Sequence, residues 1–260
     1  MTEELEEGRM PLLEHLIELR RRLMIAFAGL IVAFVICYYF GQQLLEFLIQ
    51  PLADQLKDKP GHILQYTGLA EAFVTRVKVS FWAACFVSFP VIASQIWMFV
   101  APGLYKNERS AFLPFLVATP VLFFLGGALA YYVIFPAAFH FFLSFEQQAT
   151  ADTLAVMTVP KLDEYLSLTL TLIFAFGVAF QLPVALTLLA RVGIISSIFL
   201  VRYRRYAILL NVIAAAIVTP PDVLSMTGLA VPLCLLYEIS IWSCRWVERA
   251  RAKREAASAE

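Results

Sequence analysis

Two carboxylates stand out in the sequence because each lies among arginines beside an apolar stretch. Glu18 belongs to the segment HLIELR, and Glu108 belongs to the segment APGLYKNER. A carboxylate can accept a guanidinium through two parallel hydrogen bonds, so both acids are candidate acceptors for an arginine of a partner. The alternative is that Glu18 with Arg22, and Glu108 with Arg109, are ordinary solvated ion pairs of small energetic value.

The patterns of common catalytic and nucleotide-binding sites are missing from the sequence. It contains neither G-x-x-x-x-G-K-[ST] nor H-E-x-x-H, its three histidines are far apart, and no Ser or Cys has an obvious base beside it. Its four cysteines fall in apolar stretches, at spacings that fit neither a metal site nor a disulfide framework. The sequence therefore predicts a protein that is not an enzyme and that holds no cofactor or metal.

The composition places the chain in a membrane. Of its 260 residues, 61% are hydrophobic and 15% are charged, whereas soluble domains are about 45–50% apolar and about 25% charged. This excludes an ordinary cytosolic enzyme and a disordered protein. The 20 basic and 20 acidic residues cancel, so a nucleic-acid partner is also excluded.

Six stretches lack Asp, Glu, Lys and Arg, and about 20 apolar residues are needed to span a bilayer as a helix. These stretches are Leu23–Phe40, Ser80–Tyr105, Ser110–Phe145, Tyr165–Ala190, Tyr206–Pro221 and Val223–Tyr237. The last two have only 16 and 15 residues, but a chain that enters lipid must leave it again. We therefore expect an all-α membrane protein with six transmembrane helices, of which the fifth and sixth are short.

The remaining organisation follows from prolines and charges. Pro136 divides the third stretch, and we expect a helix carrying Phe135, Phe139 and Phe142 to lie on the membrane face after it. Prolines within several spans would bend their helices, so the bundle can enclose a concave face. Residues 41–75 are expected to form an outer loop.

With six spans, 15 of the Lys and Arg residues fall on the side of the N-terminus and 5 on the opposite side. Basic residues accumulate on the cytoplasmic side, so both termini are expected there. We interpret residues 1–260 as a single membrane domain. Its parts would be a cytoplasmic amphipathic segment (1–22), a six-helix core (23–243) and a cytoplasmic tail (244–260).

The spans offer almost no charge at mid-membrane, which disfavours an ion-coupled pump. Gln181 is the clearest polar residue deep in a span. The main alternative functions are a small-solute transporter or a lipid flippase, which would need a polar binding group at that depth. A membrane-embedded enzyme and a purely structural scaffold are further alternatives.

The sequence contains, in this order, the motifs HLIELRRRL at 15–23, PL at 51–52, FVAPGLYKNER at 99–109, FGVAFQLPVA at 176–185, TPPDV at 219–223 and YEI at 237–239. This ordered set resembles the TatC family of twin-arginine protein translocases over nearly the whole chain. The resemblance implies a bacterial inner-membrane receptor that binds twin-arginine signal peptides at the cytoplasmic face. With TatA and TatB, in a multi-copy complex, it would export folded proteins at the expense of the proton motive force.

The resemblance also implies roles for particular residues on the cytoplasmic side. Glu18 and Glu108 would accept the paired arginines of the signal peptide. Arg20 and Phe99 would shape the same site.

Further roles implied by the resemblance concern the membrane and the outer side. Gln181 and Met226 would lie on the concave face, where the signal peptide or a partner helix inserts. Pro51 and Tyr131 would belong to the outer cap, and Asp222 to the outer turn, although Asp222 can equally be a simple helix N-cap. The family often has a glutamate at the position of Gln181 and an amide near Met226, so these contacts can differ in this chain.

Overall fold

The computed structural model of the protein describes residues 12–56, 64–66, 68–100, 113–143, 161–219 and 223–257. The chain in these ranges is helical apart from turns and one isolated parallel β-bridge between Gln65 and Lys161. The helices are α1 (Leu12–Tyr39), α2 (Gly41–Leu56), α3 (Glu71–Val100), α4 (Leu113–Leu129), a π segment (Ala130–Ile134), α5 (Phe135–Leu143), α6 (Leu162–Ala179), α7 (Leu182–Val192), α8 (Ser197–Arg202), α9 (Arg204–Val218) and α10 (Val223–Ala257). The prediction of an all-α protein is confirmed.

Five stretches of the described chain are long and apolar enough to cross a membrane. They are His15–Tyr39, Glu71–Phe99, Pro114–Phe141, Leu162–Arg191 and Met226–Ala250. Within the apolar 18-residue window of the first stretch, His15–Tyr39, only 6% is buried within the protein. The apolar side chains of this stretch therefore need lipid around them. Helix α9 has 15 residues and is about 22 Å long, less than the hydrocarbon thickness of about 30 Å.

Helix α1 is longer than the sequence pattern suggested. We expected an amphipathic segment up to residue 22 and a separate span from Leu23 onwards, but one helix runs without interruption from Leu12 to Tyr39. The arginines and leucines between Glu18 and Met24 are strong helix formers, and no Gly or Pro separates them. The acidic and basic residues near the start of α1 are therefore rigidly connected to the apolar stretch.

Helix α2 occupies the first half of the segment 41–75, for which we expected a loop and no helix. The signal for this helix is the spacing of Leu44, Leu48 and Leu52, which recur every fourth residue. Leu48 and Leu52 are buried, while polar residues occupy other faces. We did not predict this helix because an internal proline usually argues against one, yet Pro51 lies inside α2.

The chain does not form a surface helix after Pro136. Instead a π segment joins α4 to α5, and the Phe135 N–H donates to the carbonyl of Ala130, five residues earlier. Pro136 cannot donate and would clash with a carbonyl in a regular turn, which favours the wider one. Phe135 and Phe139 are buried within the protein, with the Phe139 ring 5.0 Å from that of Tyr165. The expectation that these side chains face the membrane was wrong.

The last helix is not short, which corrects our expectation for the sixth span. Helix α10 contains 35 residues and joins the apolar stretch to the basic tail. The charge-free stretch ends at Glu238, but this carboxylate pairs with Arg204 at 2.7 Å, and neither charge interrupts the helical backbone. A helix therefore extends well beyond the stretch without charges.

The described residues belong to two compact units. The first comprises residues 1–44 and 76–121, and the second comprises residues 45–75 and 122–260. In the first unit, Ala33 and Cys37 of α1 pack against Ala84 of α3. Small side chains let two membrane helices approach closely, where dispersion contacts stabilise the pair.

Two glycines allow α4 and α6 to cross closely in the second unit. A Cβ atom on Gly126 would lie 2.5 Å from the carbonyl oxygen of Phe176, and one on Gly177 would lie 2.7 Å from the ring of Phe123. Real Cβ atoms do not approach a backbone oxygen so closely. The absence of a side chain at Gly126 is therefore a requirement of this crossing.

We predict that Gly126→Ala destabilises the protein, because the added methyl group must push the backbone of α6 away. Overpacking of this kind costs about 1–3 kcal/mol, which thermal unfolding of the purified protein in detergent would detect as a lower melting temperature. Gly68→Ala is the matched control, since its Cβ would meet its nearest neighbour, Glu71 Cβ, at 3.9 Å. Equal melting temperatures for the two variants would contradict the prediction.

Candidate functional site

The described part of the predicted arginine site is a cluster of side chains from α1 and α3 in the first unit. We call it the α1–α3 polar cluster, and it consists of His15, Glu18, Arg22, Gln95, Met98 and Phe99. At its centre Arg22 Nη2 donates to Glu18 Oε1 at 3.1 Å. The two side chains are one helical turn apart, with the acid nearer the N-terminus, which is the favourable order for such a pair.

This pair is partly withdrawn from solvent. The side chains of Arg22 and Glu18 are 26% and 18% exposed, so water and salt screen their attraction less than that of a surface pair. Arg22 also reaches α3, where Nη1 donates to Gln95 Oε1 at 3.5 Å and to Met98 Sδ at 3.3 Å. Arg22 therefore connects the carboxylate of Glu18 to side chains of α3.

An aromatic contact lies beside the ion pair. The ring of His15 stacks on the ring of Phe99, with centroids 4.4 Å apart and an interplanar angle of 24°. Phe99 belongs to the last turn of α3, directly before the segment that contains Glu108. The stack joins the beginning of α1 to the end of α3 and leaves Phe99 half-buried.

The structure brings together two of the four residues that were expected to bind a signal peptide. Glu18 and Phe99 both belong to the cluster, while Glu108 lies outside the described residues. Arg20 is exposed and follows Glu18 by two positions, which places it on another face of α1. Arg22, which we had considered only as a partner of Glu18 in a solvated pair, occupies the central position instead.

In the second unit, Tyr131 forms a hydrogen bond to a carbonyl of α2 that Pro51 leaves without its usual donor. Because Pro51 has no N–H, the carbonyl of Phe47 lacks its usual donor four residues later. The hydroxyl of Tyr131 donates to this oxygen at 2.6 Å, and the Tyr131 ring stacks on that of Phe47. The hydroxyl of Tyr165 donates to the next carbonyl, that of Leu48, at 2.7 Å.

We predict that Tyr131→Phe destabilises the protein by about 1–3 kcal/mol, because it leaves a shielded carbonyl without a donor. The loss should be smaller in a Pro51→Ala background, where residue 51 regains an N–H for the Phe47 carbonyl. Equilibrium unfolding of the single and double variants measures this coupling.

Tyr132→Phe is the control for this cycle, since the Tyr132 side chain is 68% exposed and the change removes the same hydroxyl. Strictly additive effects of Tyr131→Phe and Pro51→Ala would show that the two residues do not act on the same carbonyl.

Gln181 lies between two helices of the second unit, and Met226 lies in a third. Gln181 is half-buried at the break between α6 and α7, which Pro183 accompanies, and its carbonyl accepts the Ala185 N–H at 2.9 Å. Met226 is half-buried in the first turn of α10. Asp222 lies outside the described residues, so its expected place in a turn stays a prediction.

Two acids of α10 have partners that the sequence did not indicate. Glu248 accepts hydrogen bonds from the backbone N–H of Ser197 at 2.7 Å and from its hydroxyl at 2.5 Å. Glu238 pairs with Arg204, and both of these side chains are about half exposed. Because 51 residues separate Glu248 from Ser197, no local pattern could reveal the contact.

We predict that Glu248→Ala destabilises the protein more than Glu238→Ala does. Glu248 makes two charge-assisted hydrogen bonds in a partly buried place, each worth about 1.5–3 kcal/mol, while an exposed pair such as that of Glu238 contributes about 0–1 kcal/mol. Melting temperatures of the two variants under identical conditions make the comparison. A larger loss for Glu238→Ala would contradict this ranking.

Comparison with known proteins places the chain in a family. The family model described as "Sec-independent protein translocase protein (TatC)" matches residues 14–232. The chain belongs to the TatC family. It is therefore a component of the Sec-independent, or Tat, protein translocase.

Relatives and solved structures of the TatC family match almost the full chain. The TatC protein of Magnetococcus marinus is 53% identical over 96% of this chain and 90% of its own length. That of Escherichia coli is 38% identical over 96% of this chain and 94% of its own length. The crystal structure of a twin-arginine translocase receptor TatC superimposes with a TM-score of 0.75 at 35% identity, covering 90% of this chain and 99% of the other.

Proposed function

We propose that this TatC protein is the receptor of its translocase and binds twin-arginine signal peptides through the α1–α3 polar cluster. With TatA and TatB it would then export folded proteins across the membrane, driven by the proton motive force. The solved relative that is named a twin-arginine translocase receptor supports the assignment. The cluster supplies the chemistry that the assignment needs.

The observation that carries the proposal is the half-buried carboxylate of Glu18. Arg22 approaches it through Oε1, and a carboxylate can accept hydrogen bonds on both oxygens. A guanidinium of a signal peptide can therefore bind to Glu18 in a place where its charge is poorly screened. Each charge-assisted contact is worth about 1.5–3 kcal/mol, or roughly tenfold to a hundredfold in affinity.

The second arginine of the peptide would bind Glu108, which follows Phe99 by nine residues in the segment after α3. The stacked rings of His15 and Phe99 would form an apolar wall beside the two arginines, on which a guanidinium can also lie flat. Arg20, on another face of α1, would contribute to the positive surface around the entrance rather than to the carboxylate itself.

The proposed activity requires a defined orientation. We place both termini in the cytoplasm and count six spans, the fifth being α9, so that the α1–α3 polar cluster faces the cytoplasm of a bacterium. The concentration of basic residues on that side supports this orientation. Pro51, Tyr131 and Asp222 would then lie near the outer surface.

The partner helices would bind within the membrane. Gln181, at the break between α6 and α7, and Met226, in the first turn of α10, are the proposed contacts for the apolar part of the signal peptide and for TatA or TatB. A half-buried methionine can adapt to differently shaped partners because its side chain is unbranched. Several copies of the protein would assemble in one complex.

We predict that Glu18→Ala and Glu108→Ala each weaken photo-crosslinking of a twin-arginine signal peptide at least tenfold, as expected for one lost charge-assisted contact. The assay uses membranes that contain the full chain with its partners. Glu238→Ala is the control, because it removes an acid that already pairs with Arg204. Undiminished crosslinking in the Glu18→Ala, Glu108→Ala double variant would refute the proposed site.

A further inference from the structure

We propose that Arg22 is an internal competitor for the Glu18 carboxylate and that this competition lowers the affinity of the site for any incoming cation. The inference rests on the proposed function, since it assumes that a signal peptide binds Glu18. It assigns a separate role to Arg22, namely to occupy the carboxylate until a stronger ligand arrives.

The geometry of the resting pair is that of a displaceable ligand. Arg22 meets Glu18 through the single contact of Nη2 with Oε1 at 3.1 Å, whereas a guanidinium can meet a carboxylate through two parallel hydrogen bonds. The spacing along α1 brings the two side chains together whether or not a peptide is present. The carboxylate therefore has a cationic ligand at rest, but it is held by only one of the two available bonds.

Arg22 also has acceptors to which it can turn. Gln95 Oε1 lies 3.5 Å and Met98 Sδ lies 3.3 Å from Nη1, so the guanidinium keeps partners on α3 after it releases Glu18. Its Nε atom is buried and donates to no acceptor among the described residues, so the resting position leaves one donor of Arg22 unsatisfied.

Competition of this kind weakens the binding of arginine and of lysine by the same factor, because any incoming cation must displace the single contact of Arg22. An arginine replaces it with two parallel bonds, whereas the ammonium group of a lysine is a point charge that cannot reproduce the planar fork. Lysine therefore exchanges one contact for another of the same kind, and only arginine gains.

The test is Arg22→Gln, which removes the charge but keeps a polar side chain near Gln95. We expect the purified full-length variant in nanodiscs to bind a fluorescent twin-arginine signal peptide about twofold to fivefold more tightly than the original protein does. This factor corresponds to the loss of one competing, partly exposed ion pair. Affinity for the same peptide with two lysines should rise by the same factor, so that the ratio of the two affinities stays the same. Arg22→Lys, which restores a cation beside Glu18, should bring both affinities back toward those of the original protein.

Two further variants separate this role from general effects. Arg249→Gln removes an exposed arginine of α10 and should leave both affinities and their ratio unchanged. In a Glu18→Gln background, Arg22→Gln should have no additional effect on either peptide. Melting temperatures of all variants identify any that are unfolded, and Arg22→Met serves in place of Arg22→Gln if that variant does not fold.

The outcomes distinguish this inference from the proposed function. If Glu18→Gln weakens binding but Arg22→Gln leaves both affinities unchanged, the competitor role is wrong and the binding site stands. Weaker binding of the twin-arginine peptide by Arg22→Gln would likewise overturn it, because Arg22 would then position Glu18. If Glu18→Gln does not weaken binding, the proposed site itself fails, and the competitor role fails with it.

Discussion

Lipid tails cannot form hydrogen bonds with the backbone, so each polar group within the hydrocarbon region of a membrane must find a partner inside the protein. Helices pair most of the backbone groups with one another. Polar side chains find acceptors in the same helices: the hydroxyls of Ser80, Thr119 and Ser240 each donate to the carbonyl four residues earlier. Pro51 creates a local exception in α2, which the Tyr131 hydroxyl compensates. The position of this tyrosine is thus a consequence of a proline 80 residues before it in the chain.

The same constraint governs charge. Glu18, Glu238 and Glu248 each accept hydrogen bonds from another side chain or backbone group of the protein, either a guanidinium or the N–H and hydroxyl of Ser197. For Glu238 and Glu248 these contacts connect α10 to the segment of α8 and α9. The Glu18 pair differs because its donor comes from the same helix and makes only one contact. A carboxylate that is satisfied at rest, but not fully, is suited to bind a cationic ligand reversibly.

The sequence predicted what depends on local spacing. The apolar stretches of α1, α3 and α6, and the pairing of Glu18 with Arg22 one turn later, follow from residues that are neighbours along a helix. The contacts of Arg22 with Gln95 and of Tyr131 with Phe47 join residues 73 and 84 positions apart, and no periodicity encodes them. Helix α2 was missed for another reason, since Pro51 is a helix-breaking signal unless a distant hydroxyl replaces the lost donor.

The π segment has a consequence for the evolution of the helix that contains it. A wider turn accommodates one residue more than a regular turn, so the deletion of a single residue from Ala130–Ile134 would restore an ordinary α-helix. The wider turn absorbs its extra residue locally, so α5 would keep its orientation, and Phe135 and Phe139 would stay in the protein interior. A deletion in a regular part of the same helix would instead rotate everything beyond it by about 100°, the angle per residue of a helix with 3.6 residues per turn. Ala130–Ile134 is therefore the part of this helix in which the loss of one residue preserves the packing of the aromatic side chains.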